Sequence, residues 1–215
     1  MPAPNIGTLP FDGPGLVDGT WLKGILAGQN PLPSAIQTYF GGGLGSFPEE
    51  GNISRQISAA GINPGATAAD NVLAVYSIPA NSFDAAGRGL IIQALGSFAA
   101  NGNNKTVKII FNPATAVVGS TVGGGGTTVA TTGVSAGNGV GWQLGANIFK
   151  YGALGSNTQF TVQTAAIVGT ALGGIGVPVN AAAVESAAIL IAVTGNAATT
   201  ATDIIFNFLE VNAMN

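Results

Sequence analysis

The chain has 215 residues and a formal net charge of −3, and only 7% of its side chains are charged, against roughly a quarter in average globular proteins. It contains no histidine and no cysteine, which excludes Ser-His-Asp and Cys-His catalysis, imidazole metal sites, zinc–thiolate sites and disulfides. The six basic residues, Lys23, Arg55, Arg88, Lys105, Lys108 and Lys150, are too scattered to build a phosphate-neutralising patch, so no nucleic-acid partner is expected.

The length suits one main domain with an extension. So little charge points to surfaces covered by partner subunits, because interface cores are depleted of charge. The competing reading is a monomer with a neutral polar exterior.

The amino terminus, MPAPNIGTLP, has neither the basic nor the apolar region of a Sec-type signal. Residues 1–66 read as an extended N-terminal arm, because Gly and Pro dominate PAPNIGTLPFDGPG and FGGGLGSFPEEGN. Within it, Asp18 or Thr20 is a candidate N-cap. Trp21/Ile25 and Leu22/Leu26 follow at helical spacing, predicting a short helix near 20–27 that Gly28 and Pro31 end. A helix of two turns needs something to pack on. Ile36, Tyr39 and Phe40 offer a second docking turn. Trp21, Leu22, Ile25, Leu26, Tyr39 and Phe40 are therefore candidate protein-binding anchors, directed either at a neighbouring protein or back onto the parent core.

From residue 67 the pattern changes to short apolar runs, and 67–215 reads as an all-β domain. Strands are predicted at Asn71–Ile78, Gly89–Phe98, Lys105–Phe111, Thr127–Thr132, Gly139–Lys150, Asn157–Gln163, Ala187–Thr194 and Asp203–Val211. In Asn157–Gln163, Phe160 and Val162 alternate with Asn157, Gln159, Thr161 and Gln163, predicting a neutral polar outer face. Asn101-Gly102-Asn103-Asn104 predicts a hairpin between the strands on either side. Gly123–Gly126 is expected to be a flexible loop. Eight short strands without a long amphipathic helix predict an antiparallel β-sandwich or jelly roll, with a closed barrel or an immunoglobulin-like order as alternatives. The uncharged stretch Tyr151–Val184 is broken by Gly, Pro and Asn, and reads as strand and loop, not as a membrane span.

Candidate chemistry is sparse. Asp84, Glu185, Asp203 and Glu210 belong to the β region and are candidates for a glycosidase-like carboxylate pair, but no spacing pairs them, and turn or solvation roles are expected. The lysines lack a nearby Ser-x-x-Lys pattern. No clustered oxygen ligands suggest calcium, and GNGVG at 137–141 and GGIG at 173–176 lack the context of phosphate loops. No metal or cofactor is expected. An exposed Trp142 or Tyr151 could stack on a sugar ring, but Trp142 falls on the apolar face of its strand and reads as core.

The segments DGTWLKGILAGQN at 18–30 and VLAVYSIPANSFDAAGRGLIIQALGSFAANGNNKTVKIIF at 72–111 resemble accessory structural proteins of tailed bacteriophages, the decoration, head-fibre and tail-fibre proteins. That resemblance implies a jelly-roll homo-oligomer, typically a trimer, on the outer surface of the virion. It would act as a non-enzymatic cement or decoration protein on the major capsid protein, with the arm bridging capsomers. The alternative within the class is a head-fibre or tail-fibre module that binds a host surface glycan. Neither version calls for a cofactor or a membrane.

Overall fold

A computed structural model describes residues 51–62, 69–173, 176, 178–197 and 202–214. Among them are eleven strands and no helix: β1 (Gly51–Ile62), β2 (Asn71–Ile78), β3 (Gly89–Phe98), β4 (Thr106–Phe111), β5 (Thr127–Thr131), β6 (Gly141–Lys150), β7 (Gln159–Val168), β8 (Ala171–Leu172), β9 (Val179–Ala181), β10 (Ile189–Asn196) and β11 (Ile204–Met214).

The strands form two antiparallel sheets. The larger runs β1-β11-β3-β6-β7-β8, with β9 also paired to β7, and the smaller runs β2-β10-β4-β5. β8 and β9 share one edge of β7, β8 against Ile167 and Val168 and β9 against Gln159–Thr161. The pairings are nested: β1 with β11, β2 with β10, β3 with β6 and β4 with β5. Successive pairs lie in alternate sheets, and β7–β9, which follow β6 in the chain, extend the larger sheet beyond β6.

Period-two alternation explains the core. Leu90, Ile92, Ala94 and Phe98 of β3, Trp142, Leu144, Ala146 and Ile148 of β6, and Phe206, Leu209 and Val211 of β11 are buried. They join one cluster with Leu73, Ile78, Val107, Ile109, Phe111, Ile191 and Val193 of the smaller sheet. The shared cluster makes the fold a two-layer β-sandwich. β10 lies inside its sheet with Ile191–Gly195 all buried, as its near-continuous apolar sequence implies. Gln56 of β1 donates from Nε2 to the Val75 carbonyl of β2 at 2.6 Å, tying an edge strand of one sheet to the other.

Each of the eight predicted strands has its counterpart, but four features differ. β1 lies on the N-terminal side of the expected boundary at residue 66, and its pairing with β11 makes it part of the larger sheet. β8 and β9 fall in segments read as loop. Asn101-Gly102-Asn103-Asn104 does not close a hairpin, because β3 and β4 belong to different sheets. The segment instead crosses between them, wrapped around the Lys105 ammonium, which donates to Asn101 O, Asn101 Oδ1, Asn103 O and Gly137 O at 2.9–3.1 Å. The Gly123–Gly126 run is tied down, since Ala114 N donates to Gly124 O and Gly123 N to Thr115 O, both at 2.8 Å. The helix predicted near 20–27 and the anchors Trp21, Leu22, Ile25, Leu26, Tyr39 and Phe40 lie outside the described residues.

Candidate binding site at the end of β6 and β7

β7 inverts the predicted facing. Gln159, Thr161 and Gln163 are buried, whereas Phe160 is 36% exposed. Alternation assigns residues to two faces without saying which face is inside, and here distant partners decide it. Gln159 uses both ends of its amide on residue 183: Nε2 donates to Ala183 O at 3.2 Å, and Oε1 accepts from Ala183 N at 2.8 Å. Thr161 Oγ1 donates to Val179 O, and Gln163 Oε1 accepts from Thr131 N. Buried polar groups are tolerated because each is hydrogen-bonded.

The same inward face carries a buried ion pair, Lys150 Nζ to Glu185 Oε1 at 2.5 Å. Lys150 also donates to Ser156 Oγ at 2.8 Å and Thr158 Oγ1 at 3.3 Å. Glu185 Oε1 accepts from Gln159 Nε2 at 2.5 Å, and Oε2 accepts from Gly155 N at 3.1 Å. The Glu185 N–H donates to Oδ1 of Asn157, a residue in the left-handed region at φ 52°. The network therefore fixes the 151–158 turn from beneath.

On the outer face, Phe149, Tyr151, Phe160 and Asn180 line an open pocket of about 500 Å³. Phe149 pairs in register with Phe160, and Phe160 with Asn180, so one cross-strand row spans β6, β7 and β9. Tyr151, 56% exposed, meets the Phe160 ring edge to face at 6.2 Å between centroids. Each lining residue is a chain neighbour of an inward-facing one: Phe149 and Tyr151 flank Lys150, Phe160 follows Gln159, and Asn180 precedes the buried Ala181.

The other candidates are dispersed. Trp142 is buried beside Phe98, with ring centroids 6.5 Å apart. Asp203 is fully buried and accepts from Asn101 Nδ2 at 2.7 Å and Asn103 Nδ2 at 2.8 Å, and Asp84 pairs with Arg88 at 2.5 Å. The expected solvation role is thus wrong for Glu185 and Asp203, which sit inside the fold and accept hydrogen bonds from the 151–158 turn and the 101–104 segment respectively. Glu210 lies on β11 opposite Gln93 and Arg55. Among the described residues no cluster of three or more acidic side chains could hold a metal ion, and no helix is long and apolar enough to cross a membrane.

Sequence reasoning missed Ser156 beside Lys150 and the outward row of Phe149, Phe160 and Asn180. The available signal was the Phe-Lys-Tyr triplet at 149–151. In a strand, a lone charge between two aromatics forces a choice of which is buried.

No family model matches the sequence, and no curated protein matches it.

Proposed function

We propose that the chain is a non-enzymatic accessory protein of a virion. In this reading a jelly-roll domain, assembled as a homo-oligomer and most simply a trimer, sits on the outer capsid surface and stabilises the shell by binding the major capsid protein. The observation that carries it is the nested pairing of β1/β11, β2/β10, β3/β6 and β4/β5 in alternate sheets. This is the order obtained by wrapping one long antiparallel hairpin into a sandwich, and it supports a jelly roll, an architecture recurrent in capsid and lectin domains. Since β1 is taken up by the larger sheet, the proposed docking arm reduces to the residues before 51, which carry the sequence-predicted helix near 20–27 and the candidate anchors Trp21, Leu22, Ile25, Leu26, Tyr39 and Phe40.

The Lys150–Ser156 contact does not argue for catalysis. An ammonium donating to Glu185, Ser156 and Thr158 has no lone pair for a hydroxyl proton, and Ser156 Oγ donates to Ala153 O at 2.6 Å.

The test adds full-length protein to capsids assembled without it. Cosedimentation and a rise in the temperature at which the shell opens are expected. Both should be lost when Trp21, Leu22, Tyr39 and Phe40 are replaced by Ala, with the β-sheet circular dichroism unchanged. Wild-type protein that ignores capsids would overturn this reading.

A second reading, a head-fibre or tail-fibre module that binds a host surface glycan, is favoured by the open aromatic pocket on β6, β7 and β9.

A further inference from the structure

We propose that the pocket formed by Phe149, Tyr151, Phe160 and Asn180 is a binding site for a neutral saccharide, stacked on Tyr151 and Phe160 and hydrogen-bonded by the Asn180 amide. This rests on the second reading above and gives it a place and a ligand class.

Three observations carry it. First, β7 buries its polar residues and presents Phe160 to solvent, the reverse of what the hydrophobic effect alone would select, since exposed apolar surface is unfavourable without a use. Secondly, the site is held in shape before any ligand arrives. Lys150 and Glu185 pin the 151–158 turn, and Gln159 and Thr161 pin the segment bearing Asn180. Fixed aromatic surfaces bind with less ordering cost. Thirdly, the chemistry matches one ligand class. A pyranose offers an apolar C–H face to an aromatic ring and vicinal hydroxyls at its rim. An Asn amide supplies one acceptor and two donors for such hydroxyls. The volume of about 500 Å³ falls within the range of roughly 300–1,000 Å³ usual for small-ligand sites. None of these four lining residues is charged, and the Lys150 charge behind them is neutralised by Glu185, so none of the described lining residues pairs with a sialic or uronic acid carboxylate.

The test is a titration of full-length protein with neutral oligosaccharides of glucose, galactose and N-acetylglucosamine, and with oligogalacturonate as the anionic contrast, read by ligand-observed NMR and calorimetry. A neutral oligosaccharide is expected to bind. Tyr151→Ala and Phe160→Ala should each weaken it by about tenfold or more, as for central aromatic contacts, with the circular dichroism unchanged. Leu172→Ala, at an 82% exposed position outside the pocket, should leave it unaltered. Absence of binding by every neutral sugar overturns the proposal, and so does preference for oligogalacturonate. Binding that survives both aromatic substitutions overturns this site while leaving glycan recognition standing. Self-association that Tyr151→Ala and Phe160→Ala abolish, seen by sedimentation velocity without any saccharide binding, makes the pocket a subunit contact and overturns it too.

Discussion

Glu185 collects donors from Lys150, Gln159 and the Gly155 backbone in a position closed to solvent. Removing one member of such a pair leaves an uncompensated buried charge, at a cost of about 3–5 kcal/mol. Glu185→Gln should therefore lower unfolding free energy by about that amount in urea titrations, and replacing Lys150 by Met in the same chain should restore part of it. Unaltered stability in Glu185→Gln would mean the pair is not buried as described. A second residue-scale effect concerns alkaline pH. Burial pushes the Tyr76 phenol above its ordinary value of 10.0. The folded chain then holds this proton to higher pH than the unfolded chain. The contribution is fully present below 10.0 and is lost as pH rises from there through the raised value. Tyr76→Phe should flatten the fall in stability above that pH, measured as the difference between the two proteins so that lysine titration cancels. Little of this scale was legible beforehand. The alternation through Gln159, Thr161 and Gln163 was visible, but its facing depends on Ala183, Val179 and Thr131, which local sequence does not bring near.

At the scale of elements, local pattern was a better guide. Runs such as Gly89–Phe98 and Gly141–Lys150 carry enough β-branched, aromatic and alternating apolar residues to declare themselves strands. β1 did not, because GNISRQISAAGI follows a Gly/Pro-rich segment and has few large apolar residues. Its strand character comes from pairing with β11, more than a hundred residues away in sequence. The Asn-Gly-Asn-Asn segment misled for a related reason. Turn propensity reports a reversal, not whether the next strand joins the same sheet or the other one. Within the larger sheet, Gly96 is the element-scale constraint to test. It pairs with Trp142 of β6, and a Cβ there would strike both the indole ring and the Ile205 carbonyl of β11. Gly96→Val should thus disturb two strand pairings at once and cost about 1–3 kcal/mol by overpacking. The check is thermal unfolding together with the near-ultraviolet signal of buried Trp142. A variant as stable as the parent, with that signal intact, would show that the strands can part there freely.

At the scale of the whole molecule, sheet order was not legible, because the nested pairing joins chain ends to each other and spacing records only neighbours. The poverty of charge was legible, and the fold deepens its meaning. Among the described side chains, each basic one is engaged within the molecule: Arg88 with Asp84, Lys108 with Asp70, Lys150 with Glu185, and Lys105 among backbone and Asn101 oxygens. Among the described basic side chains, little charge is left for recognition at a distance. If the chain docks on a capsid, apolar burial must therefore supply the affinity, with residues such as Trp21, Tyr39 and Phe40 as the anchors. That makes a distinguishing prediction about salt. Raising ionic strength from about 0.1 M to 1 M shortens the screening length from about 10 Å to about 3 Å. An electrostatically steered contact weakens steeply over that interval, whereas burial of apolar surface does not. Cosedimentation of full-length protein with capsids should accordingly give a midpoint that moves by less than about threefold across this range, a shift worth under about 1 kcal/mol. A loss of binding by one or two orders of magnitude would instead place a charged contact at the interface. The arm, which carries Lys23, and β1, which carries Arg55, would then be the first places to look, because the other basic side chains of the sandwich are engaged within the molecule.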